Sequence, residues 1–119
     1  MKKTLITLAL TTLSLFPFSA KAGQQCGNAS YYGYQDGYAW RTTASGETMN
    51  PKAMTTAHRY LPFGTRLLVT NQRNGKSVVV KVNDRGPFVG GRVLDLSHGA
   101  FTRLASSSQG VTQVCFSRI

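Results

Sequence analysis

The sequence contains four acidic side chains: Asp36, Glu47, Asp84 and Asp95. A carboxyl group can donate or accept a proton in general acid–base catalysis, so the search for such chemistry is short. Asp36 precedes Gly37 in a polar stretch, which is typical of a turn. Asp95 lies where a strand passes to a helix, and a carboxylate there can accept backbone N–H bonds. We therefore expect structural roles for Asp36 and Asp95.

Asp84 stands in a different setting, at the end of a valine-rich strand and directly before a rigid Gly86-Pro87 turn. Its neighbours Asn83 and Arg85 bring an amide and a cation that could hold a sugar or tune a proton transfer. An Asp–Arg pair that only ties down the turn explains the same residues equally well. Local context alone does not choose between these interpretations.

The other groups with acid–base potential favour structural explanations when each is taken alone. Glu47 lies in a polar loop that suits a solvated surface carboxylate, and His58 follows an apolar strand as a half-buried histidine would. His98 has no acidic neighbour in sequence, which favours a structural role. The sequence contains no HExxH, CxxC or HxH spacing and no Gly-x-Ser-x-Gly, so we predict no metal, no cofactor and no serine nucleophile.

Short strands separated by turn residues must position these groups. Residues 66–71 and 77–83 read as two strands of a hairpin around Asn74-Gly75, a strong turn signal. Further strands are predicted at residues 28–32, 54–57, 92–96 and 111–117. One short helix can begin after Ser97 as N-cap and continue to Leu104. This pattern predicts an all-β fold, a compact barrel or sandwich with little helix.

The first 22 residues have the three parts of a secretory signal peptide: Lys2 and Lys3, an apolar run from Leu5 to Phe18, and a small-residue ending at Ala22. A membrane anchor is the alternative, but a spanning helix needs about 20 apolar residues and this run is shorter. Cys26 follows Gln25 and lacks the small residue that a lipid anchor requires. We expect residues 23–119 to form one exported domain, periplasmic or secreted, monomeric, and not a lipoprotein.

The two cysteines and the charge fit an exported domain. Cys26 and Cys115 stand near the two ends of residues 23–119, and export to an oxidising compartment predicts that they form a disulfide; two buried free thiols are the alternative. Residues 1–22 hold three of the 14 lysines and arginines and none of the four acids, which leaves a net charge of +7 on residues 23–119. Such a charge attracts polyanions, and an exported chain meets the cell wall or an anionic membrane surface first. The basic residues are scattered singly, so we predict no nucleic-acid partner.

An ordered set of motifs runs along the chain: Ala29-Ser-Tyr-Tyr-Gly33, Thr43-Ala-Ser-Gly-Glu47, Met54-Thr-Thr-Ala-His58, Leu61-Pro-Phe-Gly-Thr65, Val82-Asn-Asp-Arg-Gly-Pro87 and Asp95-Leu-Ser97. Together these motifs resemble the rare lipoprotein A family. The resemblance extends from about residue 29 to residue 114, and the valine-rich strand followed by Asn-Asp-Arg-Gly-Pro is its most telling piece. It implies a six-stranded double-psi β-barrel with one or two short helices. It also implies an enzyme, a lytic transglycosylase that cleaves peptidoglycan.

The implied reaction breaks the MurNAc–GlcNAc β-1,4 bond of glycan strands poor in stem peptides and leaves a 1,6-anhydro end. By motif, Asp84 is then the catalytic acid and base, and Glu47 and His58 complete the site. The sugar's own C6 hydroxyl attacks, so one carboxyl group can serve where a hydrolase needs two. Substrate contacts are expected from the following side chains: Asn83, Arg85, Tyr32, Trp40 and, as a further stacking face, Tyr31.

The sequence departs from the family pattern in two features, and two other functions stay open. The lipid-attachment cysteine is missing, and no peptidoglycan-binding repeat follows the motifs. A non-catalytic, expansin-like module that binds the wall would use the same barrel. A small secreted effector built on that barrel is the third interpretation, supported by size and basic charge.

Overall fold

The strands of the computed structural model, which describes residues 23–119, follow the predicted pattern closely. In chain order they are β1 (Gln25–Tyr32), β2 (Thr55–Ala57), β3 (Arg66–Asn71), β4 (Ser77–Asp84), β5 (Arg92–Ser97) and β6 (Thr112–Arg118). A short helix, α1 (His98–Thr102), and a 3₁₀ turn (Ser107–Gln109) lie between β5 and β6. The predicted signal peptide lies outside the described residues. Within residues 23–119, no helix has the length and apolar character needed to cross a membrane.

The six strands close into a barrel in the order β1-β5-β2-β4-β3-β6. Two of the contacts are parallel, β1 with β5 and β2 with β4, and the other four are antiparallel. Parallel neighbours need long crossover connections. These connections include the loops that follow β1 and β4. The prediction of an all-β, six-stranded double-psi barrel is confirmed.

The hairpin of β3 and β4 forms where Asn74-Gly75 predicted it, with Val69 opposite Val78. Gly75 has φ +76°, a conformation that glycine adopts without strain. Alternate side chains of the strands point inward and form one apolar core. Its largest fully buried members include Leu67, Leu94, Leu96, Leu104 and Phe101.

Helix α1 packs against β1 and β5 and is shorter than predicted. The Ser97 hydroxyl accepts the N–H of Ala100, as an N-cap does, but the helix ends at Thr102 and not at Leu104. Ala100 and Phe101 turn into the core. The N–H of Gly99 donates to the Pro51 carbonyl at 2.7 Å, and a Cβ at residue 99 would lie only 2.8 Å from that oxygen. Close packing against the 49–54 segment therefore requires glycine there.

Strand β1 begins three residues before its predicted start, since its first half pairs with β6. Cys26 lies directly opposite Cys115 in that antiparallel pair, and the two form the predicted disulfide. The bond joins residues 89 positions apart and therefore ties the first strand to the last.

Candidate active site

The Asp84 carboxylate lies half-buried at the carboxyl end of β4, where three donors hold it. The Tyr32 hydroxyl donates to Oδ2 at 2.7 Å, while the backbone N–H groups of Ala44 and Arg85 donate to Oδ1 at 3.0 and 2.9 Å. These donors come from the end of β1, from the 42–48 loop and from the turn after β4. Three separate segments thus fix one carboxylate in one orientation.

A second carboxyl group, that of Asp95, belongs to the same cluster. Strands β1 and β5 run parallel with Ser30 beside Asp95, and the Ser30 hydroxyl donates to Asp95 Oδ1 at 3.1 Å. Burial raises the pKa of Asp95 to about 6, and the charges of Asp36 and Asp84 push it in the same direction. Asp95 therefore titrates closer to neutral pH than an ordinary aspartate does.

Tyr32 connects the two carboxyl groups electrostatically. Burial raises the pKa of its hydroxyl far above the ordinary value, and the hydrogen bond to Asp84 and the charges of Asp84 and Asp95 add to the effect. The phenol stays protonated and can only donate to Asp84. Sequence analysis missed Asp95 as a partner of this site, because only the pairing of β1 with β5 brings it there.

Glu47 belongs to the 42–48 loop, and its carboxylate contacts two side chains of β4. Its Oε2 accepts a hydrogen bond from Lys81 Nζ at 2.7 Å, and its Oε1 accepts one from Asn83 Nδ2 at 3.1 Å. The Lys81 ammonium is the main cause that lowers the pKa of Glu47, and the Asn83 amide is the second. The loop itself is held by Ala44 N–H on Asp84 and by Ser45 N–H on the Asn83 carbonyl at 3.3 Å. Hydrogen bonds therefore join the 42–48 loop, which carries Glu47, to Asp84 and to its neighbour Asn83.

The His58 side chain is buried, and only 2% of the residue is exposed. Nδ1 accepts the backbone N–H groups of Tyr60 and Leu61 at 3.2 and 3.1 Å, and the ring contacts those of Tyr60 and Phe116. Burial lowers the pKa of His58, and the nearby arginines lower it further. The backbone N–H of His58 donates to the Asp84 carbonyl, but within residues 23–119 no hydrogen bond joins the imidazole to a carboxylate.

Arg85 directs its guanidinium group to the same loop as His58. Nη1 donates to the carbonyls of His58 and Leu61 at 3.1 and 2.8 Å, and the guanidinium lies 4.0 Å from the centre of the Phe63 ring. These contacts fix the 58–63 loop beside β4. No ion pair between Arg85 and Asp84 is found among the described residues, where the only one joins Lys81 to Glu47.

The exposed aromatic side chains of Tyr38 and Trp40 lie in the loop that follows β1. Trp40 is 63% exposed and has φ +68°, a region that residues other than glycine rarely occupy. The hydrogen bond from its N–H to the Met49 carbonyl holds this conformation, and the Tyr38 ring packs edge-on against Tyr32. Tyr31, by contrast, packs on Phe101 and is not an open stacking face.

The structure brings Asp84, Tyr32, Asn83 and Glu47 together around the 42–48 loop, and it adds Asp95. His58 and Arg85 contact the adjacent 58–63 loop with their side chains. Asp36 accepts the N–H groups of Gly33 and Tyr38, as predicted for a turn residue. In the part of the chain that the structure describes, no three His, Cys, Asp or Glu side chains approach closely enough to hold a metal ion.

Comparison with known proteins adds sequence relatives to this geometry. A family model described as "Lytic transglycolase" matches residues 24–116. The "Probable endolytic peptidoglycan transglycosylase RlpA" of Nostoc sp. is 62% identical over 88 residues, which cover 74% of this chain and 24% of that protein. The "Endolytic peptidoglycan transglycosylase RlpA" of Rickettsia felis is 43% identical over 99 residues, covering 82% of this chain and 43% of that protein.

Two solved structures share the fold at low sequence identity. Streptomyces papain inhibitor has a TM-score of 0.64 and 22% identity, covering 81% of this chain and 94% of that chain. Clavibacter michiganensis expansin has a TM-score of 0.64 and 23% identity, covering 81% of this chain and 50% of that chain. The chain spans 24% and 43% of the two curated relatives described above.

Proposed function

The chain belongs to the lytic transglycolase family, and we propose on that premise that it cleaves the glycan strands of peptidoglycan as an endolytic transglycosylase. The bond broken is the β-1,4 bond from MurNAc to GlcNAc, in strands poor in stem peptides. The observation that carries this proposal is the fixed Asp84 carboxylate, which accepts the Tyr32 hydroxyl at 2.7 Å in a cluster with a second carboxyl group, that of Asp95.

The reaction needs one proton delivered and one removed. A carboxyl group protonates the glycosidic oxygen as its bond to the anomeric carbon breaks, and the C6 hydroxyl of the same sugar attacks that carbon. The carboxylate then accepts the hydroxyl proton, so the 1,6-anhydro ring forms without consuming water. We assign these transfers to Asp84. Asp95 adds a second, buried carboxyl group to this cluster, and burial raises its pKa to about 6.

The remaining site residues bind the substrate or hold other parts of the site in position. Tyr32 orients Asp84, and Trp40 offers its exposed face to a sugar ring. His58 and Arg85 hold the 58–63 loop against β4 and act through it as positioning residues. A histidine that is buried and kept neutral is poorly suited to donate protons.

The setting follows from the same proposal. Peptidoglycan lies outside the cytoplasm, so we assign export to residues 1–22 as a cleavable signal peptide and activity to a monomeric domain of residues 23–119 that is free of a membrane anchor. The net charge of +7 on that domain supports attraction to an anionic wall.

The test is release of 1,6-anhydro-MurNAc ends from purified glycan strands, measured by mass spectrometry with the purified 23–119 protein. We expect release by the wild type and a loss of at least 100-fold in Asp84→Asn, roughly the contribution of a positioned acid or base. Unchanged circular dichroism of the variant serves as the folding control. Equal release by Asp84→Asn would overturn the assignment of Asp84. Co-sedimentation with sacculi without any release would favour the non-catalytic wall-binding module.

A further inference from the structure

A cavity of about 260 Å³ opens beside the 42–48 loop at the Glu47–Lys81 ion pair, and Asp84 is not among its lining residues. Its lining consists of Ser45, Glu47, Phe63, Gly64, Lys81, Val82 and Asn83. We infer that this cavity is a saccharide subsite, which binds a pyranose ring of the glycan strand next to the bond cleaved at Asp84, and that Glu47 acts there in binding and not in proton transfer. This inference rests on the proposed function.

The polar side chains of the cavity keep unused hydrogen-bonding capacity. Glu47 and Lys81 have side chains that are 46% and 38% exposed, so their ion pair stays open to a ligand. The ammonium has three donors, of which Glu47 takes one, and a carboxylate can accept more bonds than the two that Glu47 receives. Adjacent donors and acceptors of this kind match the neighbouring hydroxyl groups of a sugar.

Phe63 supplies the apolar surface that a pyranose needs. The ring is 41% exposed, and the Arg85 guanidinium covers it at 4.0 Å from the ring centre. Arg85 is itself fixed by the Leu61 carbonyl at 2.8 Å, so the ring cannot turn freely. A rigid, partly exposed aromatic ring beside hydrogen-bonding groups can stack on the C–H face of a sugar.

Asn83 holds the Glu47 carboxylate in place. The residue is 3% exposed, and its Nδ2 donates to Glu47 Oε1 at 3.1 Å. Glu47 is therefore fixed between Asn83 and Lys81, two residues that line the cavity.

The position of Glu47 argues against a role in proton transfer. Its carboxylate is bonded to Lys81 and Asn83, whereas the Asp84 carboxylate is bonded to Tyr32, and within residues 23–119 no hydrogen bond joins the two carboxyl groups. An ion pair with Lys81 and a bond from Asn83 both favour the ionised form, which cannot donate a proton. Glu47 is suited to accept bonds from a neutral sugar.

Binding is tested in the Asp84→Asn protein, which removes cleavage, with peptide-free glycan strands and isothermal titration calorimetry. In that background, Lys81→Met should weaken binding roughly tenfold, the effect of losing one hydrogen bond to a charged donor. The matched control is Arg66→Met, since Arg66 lies directly opposite Lys81 on β3 and is exposed outside the cavity. It should change binding less than about twofold in 0.15 M salt. Equal losses in both variants would mean that only net charge matters and would overturn the inference.

Kinetics of the otherwise wild-type protein separate binding from chemistry. Glu47→Gln and Phe63→Leu should raise KM several-fold, and the pH profile of kcat should keep its shape. If Glu47→Gln removed one limb of that profile or acted on kcat alone, Glu47 would be a proton-transfer group and the inference would fail. Wild-type protein that binds strands through Lys81 but releases no anhydro ends would refute the proposed reaction and leave the subsite standing.

Discussion

Asp95 carries a carboxyl group in a place that disfavours its charge. The pKa of Asp95 is about 6 in the folded protein against 3.8 for an unperturbed aspartate. As the pH falls from about 6 to about 4, the folded state takes up the proton before the unfolded state does. The proton therefore stabilises the folded state in this window by up to about 3 kcal/mol, and the charged form at higher pH loses that amount.

We predict that Asp95→Asn is more stable than the wild type at pH 7.5, by up to about 3 kcal/mol, and equal to it at pH 4. The neutral amide keeps an oxygen for the Ser30 hydroxyl and carries no charge to bury. Urea unfolding at both pH values measures the difference. His58 acts in the opposite direction, because its lowered pKa makes the unfolded state bind a proton first below about pH 6.5. It does so in both proteins, so the difference isolates Asp95, and a stability gap independent of pH would contradict the prediction.

At the scale of elements, the 58–63 loop is the wall of the site that depends most on buried polar contacts. His58 Nδ1 accepts two backbone N–H groups of this loop, and Arg85 donates to two of its carbonyls. The loop presents Phe63 to the cavity beside Glu47. Hydrogen bonds therefore link the buried His58 to the loop that carries Phe63, and this link involves no proton transfer.

Replacing His58 distinguishes loop support from catalysis. Asn can place its Oδ1 near the position of Nδ1, so His58→Asn should keep much of the activity, within about tenfold of the wild type. His58→Ala leaves two donors unpaired and a void, which should lower the free energy of unfolding by about 2–4 kcal/mol. Release of anhydro ends and thermal unfolding, measured on both variants, provide the comparison. Activity that is lost equally in folded Asn and Ala variants would mean that the imidazole itself takes part in the chemistry.

The strands were predictable because their signals are local, whereas the site depends on pairing. The valine-rich segment and the Asn74-Gly75 turn gave β3 and β4 to within a residue. The role of Asp95 rests on Ser30 and Tyr32, which are more than 60 positions away and become neighbours only through the parallel β1–β5 contact. The direction of the His58 ring likewise follows from Phe116 on β6. The motif set assembled the right segments, but a motif does not state which face of a loop each side chain occupies.

At the scale of the whole molecule, the charges are divided unevenly. Three of the four acidic side chains lie close to one another: Glu47 in its ion pair, Asp84 with its hydrogen-bond donors, and the buried Asp95. Most lysines and arginines of residues 23–119 are exposed, and among these residues only Lys81 has an acidic partner. The domain therefore has a basic exterior around a small acidic cluster, a charge distribution that favours attraction of anionic polymers.

The disulfide connects the two ends of this small barrel. It joins β1 to β6 across 89 residues, and on the chain-entropy model such a closure stabilises the folded state by about 4–5 kcal/mol, which is a large share of the stability of a domain this size. We predict that Cys26→Ser combined with Cys115→Ser lowers the free energy of unfolding by about 2–5 kcal/mol, the usual cost of removing a native disulfide from a small domain. Urea unfolding of the variant and of the wild type, with and without reductant, measures this. Reductant should destabilise the wild type to the level of the variant and leave the variant unchanged. A variant as stable as the oxidised wild type would show that the strand pairing of β1 with β6 suffices without the covalent bond.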